Sequence, residues 1–480
     1  MREVASRRPA AGWLDEGTLE RLTERLRAGL RRARATGSPA LVSVTAVCPR
    51  AGDPSALVVA SRRTGESWFC LEQPEREGCS LAALGSVRAL QGAGPDRFVQ
   101  VARAWGALTA SALADAPDGP PGSGLVAVGG FAFAPDGGGG RSWSGYAPAS
   151  LLVPELSFAR RAGRTWLTAN VQVAGDDTLD ELLGGVRRRL GELRDEPLPL
   201  LDPAPTGRYE VRSPMPPSHY EQAVARAVQM IRGGELQKVV LAREVEVNAP
   251  VAHDPAAILG VLREAFPSCY VFAVGRGEST FVAASPELLV RREGQRASTV
   301  ALAGSARRSA DPAVDAHLGE QLLRSEKDRE ENAIVARRIV RTLRPHAVWV
   351  TAAPEPALVR VANIQHLATP IRAQLTSPVG AIELAGMLHP TPAVGGEPSA
   401  AAQASIPTLE GLDRGWYTGP VGWTDMLGDG EFCVALRCAL LRGRLAHCFS
   451  GCGIVRDSEP AAELAETELK LGALLPVLAG

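Results

Sequence analysis

The chain has 480 residues, of which 45% are hydrophobic and 22% are charged, and its formal net charge is −1. This composition is typical of a globular protein and excludes a mainly disordered chain. The near balance of 52 basic and 53 acidic residues, with no basic patch, argues against nucleic-acid binding. No apolar run reaches the roughly 18 residues of a transmembrane helix, and residues 1–13 lack the apolar core of a signal peptide. We therefore expect a cytoplasmic protein without a membrane partner, whose eight cysteines are reduced and buried.

The first half of the chain predicts a helix at each end, with strands between them. Leucines recur at helical spacing near the start and predict an amphipathic helix. Runs rich in β-branched and aromatic residues predict the strands. The predicted elements are a helix at 15–36, strands at 41–47, 67–72 and 124–133, a glycine-rich loop at 135–142, a hairpin at 150–175 and a helix at 178–194.

The second half opens after a proline-rich, aperiodic crossing at residues 196–217. A helix is predicted from Ser218 to Arg232, with Ser218 as its N-cap and Glu221 completing a capping box. Many strands, few βαβ units and no internal repeat predict an α+β fold. The remaining predicted elements are strands at 238–247, 270–275, 280–285 and 287–293, a helix at about 321–343 and a last helix containing 463–470.

Lysine is rare in this chain, which has only Lys238, Lys327 and Lys470 among its 52 basic residues. Nearly all other basic residues are arginine, so each of the three lysines is a candidate for a special role. Lysine can lose its proton when it is desolvated, whereas arginine cannot. Lys238 enters a strongly apolar strand and is therefore a candidate general base. The alternative is a lysine at the end of a strand that reaches solvent.

Glu287 lies between two apolar runs, directly after Pro286. A carboxyl group held in apolar surroundings has a raised pKa and can act as a general acid. The alternative is a glutamate that caps a turn.

Carboxylates on two predicted helices form a candidate metal site. Glu331 extends an apolar stripe and so faces inward, where it needs a metal or a basic partner. Lys327, four residues earlier, offers a plain salt bridge as the alternative. Glu463, Glu466 and Lys470 share one face of the last helix, which follows a glycine-rich stretch at 450–455. Three carboxylates without a competing histidine or cysteine set suit Mg²⁺.

Residues 218–478 resemble the chorismate-utilising enzymes, the family of isochorismate synthase, salicylate synthase and the large subunits of anthranilate and aminodeoxychorismate synthase. The first half matches the family more loosely, through ESWFCLEQP and GGFAF. The matching motifs of the second half are, in order, KVVLARE, FVAASPELLVRR, ALAGSARR, SEKDREENAIV, VANIQHLATPI, LHPTPAVGG, GWYTGPVGW and SGCGIV followed by ELAETELKL.

This resemblance implies a fold and a set of roles. The implied fold is α+β, with two facing, mostly antiparallel β-sheets and helices outside. Residues 1–205 would be the N-terminal part of this intertwined fold, and residues 206–480 the chorismate-binding catalytic region. Lys238 is implied to activate the water that attacks C2 of chorismate, and Glu287 to protonate the departing C4 hydroxyl. The implied Mg²⁺ ligands are Glu331 and Glu466, with Glu463 beside them. The implied substrate contacts are Ala303, Gly304, His366, Tyr417, Arg437, Gly451, Gly453 and Lys470.

Two positions distinguish the branches of the family. Lys238 stands where the ammonia-using relatives carry glutamine, and Ala303 stands where the aminodeoxychorismate branch often carries lysine. The resemblance therefore implies an isochorismate synthase that uses water, as a monomer or weak homodimer without a glutamine amidotransferase subunit. The alternatives are a salicylate synthase, which also eliminates pyruvate, and a chorismate-binding relative without catalysis.

Overall fold

The computed structural model describes residues 12–48, 52–116, 118–202 and 206–479. Two predictions concern residues outside these ranges. The expected absence of a signal peptide rests mostly on residues 1–11, and the division after residue 205 falls on residues 203–205. Among the described helices, none is both long enough and apolar enough to cross a membrane.

The described residues form the strands and helices below. The strands are β1 Ala40–Val47, β2 Trp68–Gln73, β3 Cys79–Leu84, β4 Arg88–Gly92, β5 Val126–Phe131, β6 Ala149–Val153, β7 Leu156–Arg161, β8 Arg164–Val173, β9 Glu210–Arg212, β10 Lys238–Asn248, β11 Tyr270–Arg276, β12 Ser279–Ser285, β13 Leu288–Glu293, β14 Arg296–Arg307, β15 Ala347–Ala352, β16 Ala357–Arg360, β17 Ile364–Leu375, β18 Gly396–Glu397, β19 Pro420–Asp425, β20 Gly430–Val434, β21 Cys438–Arg442 and β22 Leu445–Ile454. The α-helices are α1 Glu16–Thr36, α2 Pro54–Ser61, α3 Arg97–Ser111, α4 Leu179–Gly191, α5 Pro217–Arg232, α6 Pro255–Ala265, α7 Pro312–Arg324, α8 Glu326–Leu343, α9 Ala381–Leu388, α10 Ser399–Glu410, α11 Pro460–Leu471 and α12 Leu475–Leu478.

The strands build two antiparallel sheets that face each other. The first sheet has the order β1-β8-β7-β3-β2-β11-β12-β21-β22-β10-β18, and β9 also pairs with β10. The second sheet has the order β15-β17-β14-β13-β20-β19-β5-β6-β4, and β16 also pairs with β17. Strands from before and after residues 203–205 therefore lie in both sheets.

Three hydrophobic clusters show how the layers pack. Between the sheets, aromatic residues such as Phe272 and Phe281 of the first sheet share a buried cluster with Val128 and Trp423 of the second. On its other face the first sheet packs against residues of α1, α2, α4 and α6. The second sheet packs in the same way against α3, α8 and α9. The predicted fold, two facing antiparallel sheets with helices outside, is confirmed.

The elements predicted in the first half are confirmed except in the segment at 150–175, and α2, β3, β4 and α3 were not predicted. Its second part is the expected hairpin of β7 and β8. Its first part, β6, belongs to the other sheet, where it pairs with β4 and β5. Pro154, which has no N–H group to donate to a ladder, lies where the chain passes between the sheets. The single strand predicted across it is therefore wrong.

Two helix predictions in the second half are also wrong. Helix α5 begins at Pro217 after Pro216 and has no side-chain cap, so Ser218 is not its N-cap. Proline in the first turn stabilises this start instead, since its fixed φ suits a helix and its missing N–H is not needed there. The helix predicted at 321–343 is two helices, α7 and α8. They are separated by Ser325, whose side chain accepts a hydrogen bond from the Asp328 N–H and caps α8.

The cysteines match their prediction. None of the eight forms a disulfide, and all except Cys79 are buried.

Candidate active site

A cleft of about 780 Å³, partly open to solvent, holds most of the predicted site residues. Its wall comes from β10 and β22 of the first sheet, β14 and β17 of the second, and helices α8 and α11. The predicted residues in the lining are Glu287, Ala303, Gly304, Glu331, His366, Tyr417, Arg437, Gly451, Gly453, Glu466 and Lys470. Lys238 and Glu463 lie outside the lining, in contact with residues around it.

Irregular backbone brings several of these residues to the cleft. The register of β14 against β17 shifts between Leu302 and Ser305, at Ala303 and Gly304. Gly304 has a φ of +81°, and a Cβ there would lie 2.9 Å from Cβ of Asp328. This position therefore requires glycine for both its conformation and the space it leaves. The bulge turns this part of β14 toward the cleft, as bulges beside active sites commonly do.

Lys238 begins β10, and its side chain is 0% exposed. Its Nζ lies 2.8 Å from Oε1 of Glu331, a residue of α8. No acceptor among the described residues meets the angle of a hydrogen bond to Nζ, so this contact is an ion pair without a hydrogen bond. The pair fits only because residue 453 is glycine, since a Cβ there would lie 2.3 Å from Oε1 of Glu331. The alternative of a solvent-reaching lysine is excluded by this burial.

Glu287 is the buried carboxyl group of the cleft, at 3% exposure. Its backbone fixes the turn between β12 and β13, because its N–H donates to Oγ of Ser285 and its carbonyl accepts from the N–H of Val434. Burial raises the pKa of Glu287 to about 8, although the charges of Lys238 and Lys470 act against this shift. The carboxyl group is therefore protonated at neutral pH and is able to donate a proton.

Glu463 and Glu466 form an acidic group that could hold a metal ion. With Cys452 their ligand atoms lie within 4.8 Å of one another. Burial and the neighbouring Glu466 charge raise the pKa of Glu463. Burial also opposes ionisation of Glu466, but Lys470 and a hydrogen bond from Ser305 outweigh it and lower the pKa of Glu466 to about 2.

The donors at this group fit a hard cation. Burial raises the pKa of the Cys452 thiol well above its usual range, so the sulfur is protonated and is a poor ligand. The oxygens of Glu463 and Glu466 remain, and Glu331 lines the cleft beside Glu466. Carboxylate oxygens are the ligands that Mg²⁺ prefers.

Each of the three lysines of the chain contacts one of the three candidate metal-binding carboxylates. Lys238 contacts Glu331 at 2.8 Å, Lys327 contacts Glu463 at 3.1 Å, and Lys470 contacts Glu466 at 2.8 Å. The salt bridge considered between Lys327 and Glu331 does not form. The composition was the signal for all three lysines, but only the structure shows which carboxylate each one meets.

Arg437 and His366 form a second group at the cleft. Nη2 of Arg437 lies 2.6 Å from Nε2 of His366. Nη1 of Arg437 is buried and has no hydrogen-bond partner among the described residues. Arg437 also has a φ of +48°, which is uncommon for a residue with a side chain and is typical of functional sites. Nearby, the ring of Tyr417 stacks on Phe449 with their centroids 5.3 Å apart.

Several residues in or beside the site were missed from the sequence, among them Ser305, Asp328 and Thr418. Ser305 donates a hydrogen bond of 2.7 Å to Glu466 and could have been found as the last residue of the ALAGS motif. Asp328 lies against Gly304, and its pKa is raised by burial and by Glu331. Thr418 lines the cleft with a φ of +60° and could have been found in the GWYTGPVGW motif, next to Tyr417.

Two facing sheets, with a buried acid, a buried lysine and a carboxylate group around one cleft, define an α+β enzyme that acts on a small molecule. The model of the chorismate binding enzyme family matches residues 28–479. The chain belongs to this family, and the resemblance seen in the motifs is confirmed.

Relatives with assigned names agree with this placement. The salicylate biosynthesis isochorismate synthase of Pseudomonas aeruginosa is 39% identical over 85% of this chain and 84% of its own length. The isochorismate synthase MenF of Bacillus subtilis is 35% identical over 74% of this chain and 75% of its own. The solved structure of MenF, the menaquinone-specific isochorismate synthase from Escherichia coli, has a TM-score of 0.76 and 28% identity. The match covers 95% of this chain and 99% of the MenF chain.

Proposed function

We propose that this protein converts chorismate to isochorismate in a Mg²⁺-dependent reaction. The observation that carries the proposal is that Glu287, with a pKa of about 8, lies within the electrostatic influence of Lys238 at one cleft. A protonated acid and a lysine on the same cleft are the two groups that hydration at C2 and loss of the C4 hydroxyl require. The names of the relatives support the same reaction.

In the proposed reaction the oxygen of a water molecule bonds to C2 of the ring, the two ring double bonds shift from C1=C2 and C5=C6 to C1=C6 and C4=C5, and the C4–oxygen bond breaks. Lys238, in its neutral form, accepts a proton from the attacking water. Glu287 gives its proton to the departing hydroxyl, which leaves as water. One water enters and one leaves, so substrate and product are isomers. Proton exchange with solvent then returns both side chains to their starting states.

The remaining residues are proposed to bind and orient the substrate. When bound, Mg²⁺ would be held by Glu331, Glu463 and Glu466 and would supply positive charge for the ring carboxylate. Arg437 would bind the enolpyruvyl carboxylate, since Nη1 has a donor to offer and guanidinium suits carboxylate recognition. The other proposed contacts are Ala303, Gly304, His366, Tyr417, Gly451, Gly453 and Lys470.

We propose further that residues 206–480 are the catalytic region, since every residue in the cleft lining lies between Val240 and Lys470. The protein would act in the cytoplasm, which is supported by the absence of disulfides among its eight cysteines. It would act as a monomer or weak homodimer without a glutamine amidotransferase subunit, because water, not ammonia, is the proposed nucleophile.

The test is to incubate the purified chain with chorismate and Mg²⁺ and to separate the products by chromatography. Isochorismate as the sole product supports the proposal. Salicylate with an equal amount of pyruvate would identify a salicylate synthase instead. Unchanged chorismate, with binding seen by calorimetry, would identify a non-catalytic relative.

A further inference from the structure

Lys327 is the one lysine of the chain that the proposed reaction does not use. Its ammonium lies 3.1 Å from Oε1 of Glu463 and donates a hydrogen bond to it. Glu463 is 3% exposed at its side chain, so it needs a positive partner. In the proposed function that partner is a divalent cation, and in the structure it is Lys327.

Lys327 differs from the other two lysines in its freedom to move. The side chain of Lys238 is fully buried, and Nζ of Lys470 is held by both Glu466 and the carbonyl of Gly451 at 2.9 Å. The side chain of Lys327, by contrast, is 42% exposed. Its ammonium can therefore leave Glu463 for solvent by rotation of its own side chain, with no change in the backbone.

The position of Lys327 in the chain gives no local reason for a cation. It is the second residue of α8, and the positive end of the helix dipole disfavours a cation in the first turn. Nearly all other basic residues of the chain are arginine. A guanidinium would hold a carboxylate through two parallel hydrogen bonds, whereas an ammonium is a strongly hydrated point charge that returns easily to water.

We propose that Lys327 is a built-in competitor for the cation. Its ammonium neutralises Glu463 in the cation-free protein and is displaced into solvent when a hard divalent cation binds the carboxylates. Lys327 therefore weakens cation affinity while it stabilises the empty site. This inference rests on the cation site of the proposed function and adds to it the residue that sets the affinity.

The test measures cation binding directly, with Mn²⁺ followed by electron paramagnetic resonance and Mg²⁺ added in competition. Lys327→Ala and Lys327→Met should bind Mn²⁺ roughly three- to tenfold more tightly, the range expected for loss of a half-exposed ion pair. Lys327→Arg should bind it more weakly than the wild type, because its guanidinium does not leave Glu463 readily.

The matched control is Arg329→Ala. Arg329 lies in the same first turn of α8, is similarly exposed at 44%, and pairs with Glu355 instead of the cleft. The Arg329→Ala variant loses one positive charge from the same helix as the Lys327 variants do, so its Mn²⁺ affinity should stay within about twofold of the wild type. A second measurement is thermal unfolding. Lys327→Ala should lower the Tm of the cation-free protein and gain more from saturating Mg²⁺ than the wild type does.

The outcomes separate this inference from the proposed function. If the wild type binds Mn²⁺ and turns chorismate over, but neither neutral variant binds more tightly than Arg329→Ala, the competition is wrong and the function stands. Tighter binding by Lys327→Arg would overturn it in the same way. If the wild type binds no Mn²⁺, the cation site and this inference are both wrong.

Discussion

Arg437 donates a hydrogen bond from Nη2 to Nε2 of His366 over 2.6 Å. Burial, together with the charges of Arg437 and Lys470, holds the pKa of His366 well below its usual range, so the ring is neutral and accepts this bond. The contact fixes the plane of the guanidinium and leaves Nη1 for an anionic group.

Replacing Arg437 with lysine should therefore damage substrate binding. A single ammonium cannot both contact His366 and grip a carboxylate through two donors. We expect kcat/KM to fall by roughly 10- to 100-fold, the size of one or two lost charged hydrogen bonds, mostly through KM. Steady-state kinetics of the folded variant measures this, and an unchanged KM would show that Arg437 does not contact the substrate.

Glu287→Gln should remove most of the turnover and leave substrate binding. Glutamine has nearly the same shape but cannot give a proton to the leaving hydroxyl. General acid catalysis typically contributes about 10²- to 10⁴-fold, so kcat should fall by that factor. Product formation and chorismate binding are measured on the same sample. A loss of less than about threefold would return Glu287 to the role of a turn residue.

The activity should fall as the pH rises through about 8. Burial raises the pKa of Glu287 to about 8, and the proposed acid works only while it is protonated. The free energy of unfolding should also fall as the pH rises from about 4.5 to about 8. The folded protein holds the Glu287 proton more tightly than the unfolded chain does, so the contribution of this group to stability is lost as the proton leaves.

A pH profile of kcat/KM tests the first effect, and urea unfolding at several pH values tests the second. Glu287→Gln is the control for both, because it has no proton to lose. A wild-type profile that stays flat up to pH 10 would contradict the assignment.

Lys238→Arg should be almost as inactive as Lys238→Ala. Arginine keeps the charge beside Glu331 but cannot give up a proton to become a base. Lys238→Gln recreates the side chain of the ammonia-using relatives, so it should lose isochorismate formation and is the variant to test for slow amination in concentrated ammonium salt. Circular dichroism checks the fold of all three variants. If Lys238→Arg keeps a tenth of the wild-type activity, Lys238 is an electrostatic anchor and not the base.

Removal of divalent cations should abolish turnover. The carboxylates Glu331, Glu463 and Glu466 are the proposed ligands, and no histidine or thiolate in their group replaces them. EDTA should stop the reaction and excess Mg²⁺ should restore it, as followed by product formation. Full activity in metal-free buffer would exclude the cation site.

Local patterns in the sequence predicted an α+β fold and the charged candidates Lys238, Glu287, Glu331, Glu463, Glu466 and Lys470. The two facing sheets and the other predicted residues of the cleft came from the family resemblance. Periodicity and β-branched runs located the strands and helices that were predicted, because each signal lies within one element. Other elements, such as α3, β14 and β17, were not predicted. The errors lie at Pro154, Pro216 and Ser325, where a single residue decides whether the chain continues, turns or changes sheet. Burial of Glu287 was readable from its apolar neighbours.

The partners of the charged residues could not be predicted. Lys327 and Glu463 are 136 residues apart and lie on different helices, α8 and α11. The spacing of four residues within α8 predicted Glu331 as the partner of Lys327. Only the three-dimensional structure shows that Lys327 contacts Glu463 instead. The left-handed backbone of Thr418 and Arg437 is likewise imposed by tertiary structure, since both are residues that rarely adopt it alone.

The interleaving of strands has a consequence for the N-terminal part of the chain, none of whose described residues lines the cleft. Strand β2 pairs with β11, and β5 pairs with β19, so each sheet of the proposed catalytic region is continued by a strand from before residue 203. A fragment that began at residue 206 would leave β11 and β19 as unpaired, apolar sheet edges, which are templates for aggregation. The N-terminal part therefore covers one edge of each sheet, and we expect a fragment of the second half alone to aggregate.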